Sequence, residues 1–103
     1  MRESNLQRDV QAVFTARGGY PIKYHGGPYS AAGVPDIIGP YRSVFVYIET
    51  KLPGQEPTPI QVLVHKRLDA AGAIGAVVHS AAEAALLLDR VDDMLSKLLL
   101  TLV

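Results

Sequence analysis

"SVFVYIETK", residues Ser43–Lys51, reads as a β-strand that ends in an acid and a base. Val44, Val46, Ile48 and Thr50 point to one face; Phe45, Tyr47, Glu49 and Lys51 point to the other. Both faces are apolar until Glu49, which predicts a central strand covered on both sides. A buried charge without a partner is costly, so Glu49 and Lys51 need a physical reason.

Upstream, Leu6, Val10, Val13 and Phe14 recur at helical spacing and Gly18-Gly19 stops the pattern, predicting a helix over 3–17. "YPIKY" (Tyr20–Tyr24) reads as a short edge strand. His25–Gly33 is a loop rich in Gly, Pro and Ser. "VPDIIG" (Val34–Gly39) is a second strand, and "PYR" turns the chain. Downstream, Thr58, Pro59 and Gln61 are an N-cap, a first-turn proline and the third residue of a capping box. The helix they open carries an apolar stripe of Ile60, Leu63, Val64, Leu68 and Ala71 and ends at Gly72. Ala73–His79 is a fourth strand. Ser80 and Glu83 open a further helix through Leu88, and the tail from Asp89 to Val103 is helical with a break at Asp92-Asp93. The order α-β-β-β-α-β-α predicts an α/β fold, a mixed sheet with helices on its faces. The step from Ser43 to His79 should be a right-handed parallel crossover.

One domain over residues 1–103 is expected from a length of 103 residues. At 49% hydrophobic and 19% charged residues the chain reads as globular. It has no cysteine, which excludes a disulfide framework, a thiolate zinc site and cysteine catalysis. Met1-Arg2-Glu3-Ser4 carries an early acid and no apolar leader, and no apolar run is long enough for a membrane span. These features predict a cytoplasmic location without a membrane partner. The net charge is zero, so any nucleic-acid contact must come from a local basic patch.

If the strands carrying Asp36 and Glu49 pair as an antiparallel hairpin, the two carboxylates come together. At neutral pH they repel unless a cation lies between them. Oxygen ligands suit Mg²⁺ or Mn²⁺. Thr50 faces away, yet its backbone carbonyl can reach the same ion. Lys51, on the face of Glu49, would orient and activate a water and balance transition-state charge.

"VPD", then twelve residues, then "ETK", followed by a helix opened by "TPIQ", resembles the PD-(D/E)xK nuclease superfamily. Within it the stretch Gly33–Ser80, with the first helix and its early glutamate, resembles the VRR-NUC domains; the tail lies outside the resemblance. The resemblance implies a restriction-endonuclease-like core and metal-dependent hydrolysis of DNA phosphodiesters, often at branched or flapped structures. Small free-standing members resemble Holliday-junction resolvases, which act as dimers. Carried over residue by residue, Asp36 and Glu49 are the metal-binding acids and Lys51 the catalytic lysine. Glu3 is the first-helix glutamate that reaches the metal directly or through water, and Gln61 the glutamine that shapes the site.

Each residue has a plainer reading. Glu49 and Lys51 suit a solvated pair on a strand end. Glu3 suits the positive end of its helix, and a Ser4–Gln7 capping box would place it just outside. Gln61 suits the Thr58 capping box. His25, His65 and His79 fit no tight zinc motif. His65, with Lys66 and Arg67, is expected on the outer face of its helix, where the three would touch phosphate. His25 in the glycine loop and Lys23 beside Asp36 are further DNA-contact candidates.

Residues 1–51 hold Arg2, Arg8, Arg17, Lys23, Arg42 and Lys51 against Glu3, Asp9, Asp36 and Glu49. With the metal bound, this half is electropositive. Leu95, Leu98, Leu99, Leu100, Leu102 and Val103 read either as a helix end folded onto the core or as a homodimer interface. The expectation is a Mg²⁺- or Mn²⁺-dependent, structure-selective DNA endonuclease, a dimer acting on four-way junctions or flaps. Two alternatives are a sequence-specific or nicking endonuclease on the same core, and a DNA-binding or assembly module without chemistry.

Overall fold

The structure is a computed structural model in which residues 1–28 and 30–102 are described. Its elements are α1 (Glu3–Ala16), β1 (Ile22–Lys23), β2 (Ile37–Tyr41), β3 (Val44–Thr50), α2 (Pro59–Ala70), β4 (Ile74–Val78) and α3 (Ala81–Leu102). The sheet order is β1-β2-β3-β4. β1, β2 and β3 pair antiparallel, and β4 joins β3 in parallel. This is the mixed sheet that the sequence order predicts.

α1 and α3 cover one face. Leu6, Val10 and Phe14 of α1 and Ala84, Leu87, Leu88 and Val91 of α3 pack on Ile37, Val46, Ile48 and Val78. These strand residues repeat every second position, so one strand face builds the whole apolar core.

The other face carries only α2, and here three expectations fail. Phe45 is 45% exposed, so β3 is covered on both sides only in its second half. Ile60 and Leu63 of the expected apolar stripe lie open to solvent, and Ala71 is exposed. The single buried residue of α2 is His65. α2 therefore docks through His65, with Val64 and Leu68 of the expected stripe half-buried beside it, and Asp69 accepts a hydrogen bond from Tyr47 at the rim. The reason lies beneath it: this face of β3 presents Tyr47 and Glu49, which need polar partners.

The second strand also shifts. Pro40 and Tyr41 belong to β2, and the turn is Arg42-Ser43, both at positive φ (51° and 68°). A two-residue hairpin turn takes this geometry because it matches the strand twist. β1 is shorter than expected, though Tyr20 and Tyr24 extend its edge by donating N–H to the carbonyls of Pro40 and Asp36.

α3 does not break at Asp92-Asp93; it runs unbroken for 22 residues. Asp92 faces inward as an ionic hub. Its carboxylate accepts from Arg17 (2.8 Å), Tyr41 (2.7 Å) and Arg42 (2.9 Å). Three elements thus hold the helix where a break was expected. Beyond Leu95 the helix leaves the core, and Leu98, Leu99, Leu100 and Leu102 are exposed. The tail as far as Leu102 is not folded onto the core; Val103 lies outside the described residues. No helix among the described residues is long and apolar enough to cross a membrane.

Candidate active site

The last paired position of the β2–β3 hairpin is Ile37 opposite Ile48. One step further, Asp36 stands opposite Glu49. Asp36 is not itself in the strand, so its placement depends on side-chain contacts. Its Oδ2 accepts two hydrogen bonds from one residue, the Thr50 N–H at 2.9 Å and the Thr50 hydroxyl at 2.8 Å. Thr50 is fully buried. It is more than the spacer its alternation suggests, because its hydroxyl and amide both fix the first acid. In an extended strand a residue's N–H and C=O leave by the same edge. The Thr50 carbonyl therefore also faces the Asp36 side.

The loop before Asp36 is pressed onto α2. Gly33 has φ 78°, and a Cβ there would run into the Ile60 carbonyl 2.8 Å away. Only glycine accepts both the backbone conformation and the close approach.

Glu49 is wholly buried, and neither of its oxygens has a hydrogen-bond donor among the described residues. Asp36 stands beside it: its carboxyl acts to raise the Glu49 carboxyl, and its backbone has a smaller opposite effect. Two ionised carboxylates offer each other only acceptors, so the contact is favourable only with a shared proton or a cation. Burial first, and Asp36 second, push the Glu49 carboxyl up to about 9, against a smaller downward pull from Lys51. A buried carboxylate without a donor beside a second one fits a divalent cation bound through oxygen.

Lys51 follows β3 and donates its N–H to the Val78 carbonyl at 3.0 Å, continuing the parallel ladder. Its carbonyl accepts from His79 Nδ1, also at 3.0 Å, when that nitrogen carries the proton. The His79 N–H in turn donates to Glu83 Oε2 (3.1 Å), and the Glu83 N–H to Ser80 Oγ (3.1 Å). The Ser80–Glu83 box thus anchors the backbone behind the lysine.

His65 was expected on the outside of α2; it points inward. It stacks on Tyr47 with ring centroids 5.1 Å apart, and its Nε2 lies 3.5 Å from Glu49 Oε1. Burial lowers its proton affinity, so beside a protonated Glu49 the contact is between neutral groups. Tyr47 donates its hydroxyl proton to Asp69 Oδ1 at 2.7 Å. A Cβ on Gly75 would run into the Tyr47 ring, so glycine at that position leaves the ring room to lie flat. Sequence reasoning missed His65, although the spacing of Gln61, His65 and Asp69 carried the signal.

Gln61 forms both halves of the capping box: its Oε1 accepts from the Thr58 N–H (2.9 Å) and its N–H donates to Thr58 Oγ1 (3.4 Å). Its carbonyl is thereby committed to the helix cap. Glu3 is the first residue of α1, half-buried on the side of Leu6 and Val10, and Ser4 does not cap that helix. Arg17, just past the other end of α1, binds the hub at the β2–β3 turn. A helix of this length spans about 20 Å, so Glu3 lies at the far end of α1 from that turn, on the helix that covers the sheet face opposite α2. Among the described residues no three His, Asp or Glu side chains form a ready metal cluster. The centre is therefore built on the Asp36–Glu49 pair. Lys23 is half-buried on the edge strand one residue from the Asp36 contact; His25, Lys66 and Arg67 are exposed.

No protein-family model matches the chain. It is 30% identical over 73 residues to "Putative nuclease p44" of Acyrthosiphon pisum secondary endosymbiont phage 1, covering 70% of this chain and 76% of that protein. A solved structure described as a VRR_NUC domain superposes with a TM-score of 0.70 at 29% identity, over 84% of this chain and 94% of that one.

Proposed function

The chain belongs to the VRR-NUC family of nuclease domains, and on that footing we propose that it is a metal-dependent DNA endonuclease selective for branched substrates. The observation that carries the reading is Glu49, wholly buried, without a donor and beside Asp36. A chain that needed only stability would not keep this pair.

Asp36 and Glu49 would hold Mg²⁺ or Mn²⁺, joined by the Thr50 carbonyl and by Glu3 directly or through water. Such an ion, when bound, neutralises developing charge on the phosphate and makes water more acidic. Thr50 fixes the Asp36 carboxylate, so the acid does not have to find its position during the reaction. Lys51 orients the attacking water and balances charge as the phosphorus–oxygen bond breaks. Gln61 holds the start of α2 against the site. Lys23, His25, Lys66 and Arg67 are the proposed contacts to the DNA backbone.

The dimer reading rests on α3. Its core-facing stripe, buried at Leu88 and Val91 and half-buried at Leu95, continues as the exposed Leu98 and Leu102 beyond the core. The occupant we propose is the same stripe of a second copy, related by two-fold symmetry. Two sites would then face the two strands of a four-way junction.

The test is cleavage of end-labelled four-way junctions, flaps and plain duplex with Mg²⁺, Mn²⁺ or EDTA. Cutting of branched DNA that EDTA stops and Lys51→Ala abolishes is expected. A wild-type chain that cuts none of the three, or a Lys51→Ala chain that cuts equally well, defeats the reading.

A further inference from the structure

We propose that His65 is a positioning residue for Glu49: its Nε2–H is directed at Oε1, 3.5 Å away, and leaves Oε2 free to engage a cation. The inference rests on the metal-site reading above and deepens it.

Three observations carry it. His65 Nε2 and both Glu49 oxygens are buried and have no hydrogen-bond partner among the described residues, yet Nε2 and Oε1 lie 3.5 Å apart. Three such atoms side by side are costly unless they serve one another or a ligand. Next, the imidazole is held in place. Its plane lies 29° from the Tyr47 ring, and Tyr47 is itself tied to Asp69 by a 2.7 Å hydrogen bond. Finally, His65 and Asp69 share a face of α2, so one helix supplies both the donor and the support for its stacking partner.

The chemistry follows from what an unsupported carboxylate does. It rotates and can engage a cation through either oxygen or both. A donor fixed on one oxygen selects one orientation, and outer contacts of this kind commonly change metal affinity 10–100-fold. The contact runs from the imidazole nitrogen to a carboxylate oxygen, which argues for support over direct ligation.

The test uses the full chain and three readouts. First, in the metal-free protein at neutral pH, the ¹⁵N shift of His65 Nε2 should move in Glu49→Gln. Second, calorimetry with Mn²⁺ alone should show binding weakened about 10–100-fold in His65→Leu. His65→Gln, which returns a donor near the same place, should recover most of it. Third, pulsed electron paramagnetic resonance of the Mn²⁺-loaded wild type should show no directly coordinated nitrogen.

A folded His65→Leu chain that binds Mn²⁺ as tightly as the wild type overturns the inference and leaves the metal site standing. So does a coordinated nitrogen, which would make His65 a ligand. A His65→Gln chain as weak as His65→Leu reduces the effect to packing and also overturns it. A wild-type chain that binds no Mn²⁺ removes the underlying metal reading and this inference with it.

Discussion

Asp36 and Thr50 are joined twice through one oxygen: the amide and the hydroxyl of Thr50 both donate to Asp36 Oδ2, at 2.9 and 2.8 Å. This pair of hydrogen bonds to a carboxylate outside the strand makes Thr50 part of the site's geometry. Thr50→Val keeps the branched shape and removes the hydroxyl. The hydrogen bond from the Thr50 N–H should survive, so the chain should fold with a loss of about 1.5–3 kcal/mol, typical of a hydrogen bond to a charged group. Divalent-metal affinity should fall about tenfold, because the first acid is less firmly placed. Thermal melts and Mn²⁺ calorimetry read the two effects.

Glu49 sets a pH dependence. Its carboxyl is raised in the folded chain from the ordinary 4.5 to about 9. The folded state therefore holds a proton that the unfolded chain has released. The metal-free protein should be most stable below the ordinary value and lose stability as pH rises towards about 9. Divalent metal should oppose this loss, binding more tightly as pH rises through the same window and displacing a proton. Glu49→Gln should flatten both trends. Melting temperatures across pH, with and without Mn²⁺, check the sign.

Asp92 predicts the reverse pH behaviour. Arg42 first, then Tyr41, hold its carboxyl below the ordinary value. Its stabilisation is present at neutral pH and is lost as pH falls below that value. The side chain is 33% exposed, so solvent screens part of the gain. Asp92→Asn should cost about 1–2 kcal/mol, roughly 5–10 °C in Tm for a chain of this size. Metal affinity should not change, because the hub lies at the turn end of the sheet.

The overhanging helix predicts an oligomer. Leu98→Glu combined with Leu102→Glu should give a monomer by sedimentation, with helix content retained because neither residue packs on the core. A wild-type chain that is already monomeric at micromolar concentration counts against the two-site arrangement.

The strand order and the core face were legible in the sequence because period-two alternation through Val46 and Ile48 and helical spacing through Leu6, Val10 and Phe14 are local signals. The juxtaposition of Asp36 and Glu49 was legible because one hairpin register places both. The orientation of α2 was not. Its apolar residues suggest a buried stripe, but what a helix buries depends on the surface beneath it, and Tyr47 and Glu49 there select His65. The break expected at Asp92-Asp93 misled for a related reason. Two adjacent acids look like a helix end until Arg17, Tyr41 and Arg42, distant in sequence, are seen to converge on one of them.

The two ends of the sheet treat a carboxylate in opposite ways. At the turn end Asp92 has two arginines and a tyrosine; at the other end Glu49 has no donor among the described residues. The contrast has a consequence for how such a chain can change over generations. Selection for heat resistance alone would tolerate the arginines around Asp92 and act against the acid at Glu49, replacing it with an apolar residue of similar size. Lineages that lost the need to cut would be expected to keep the Asp92 hub and lose the acid at Glu49 first.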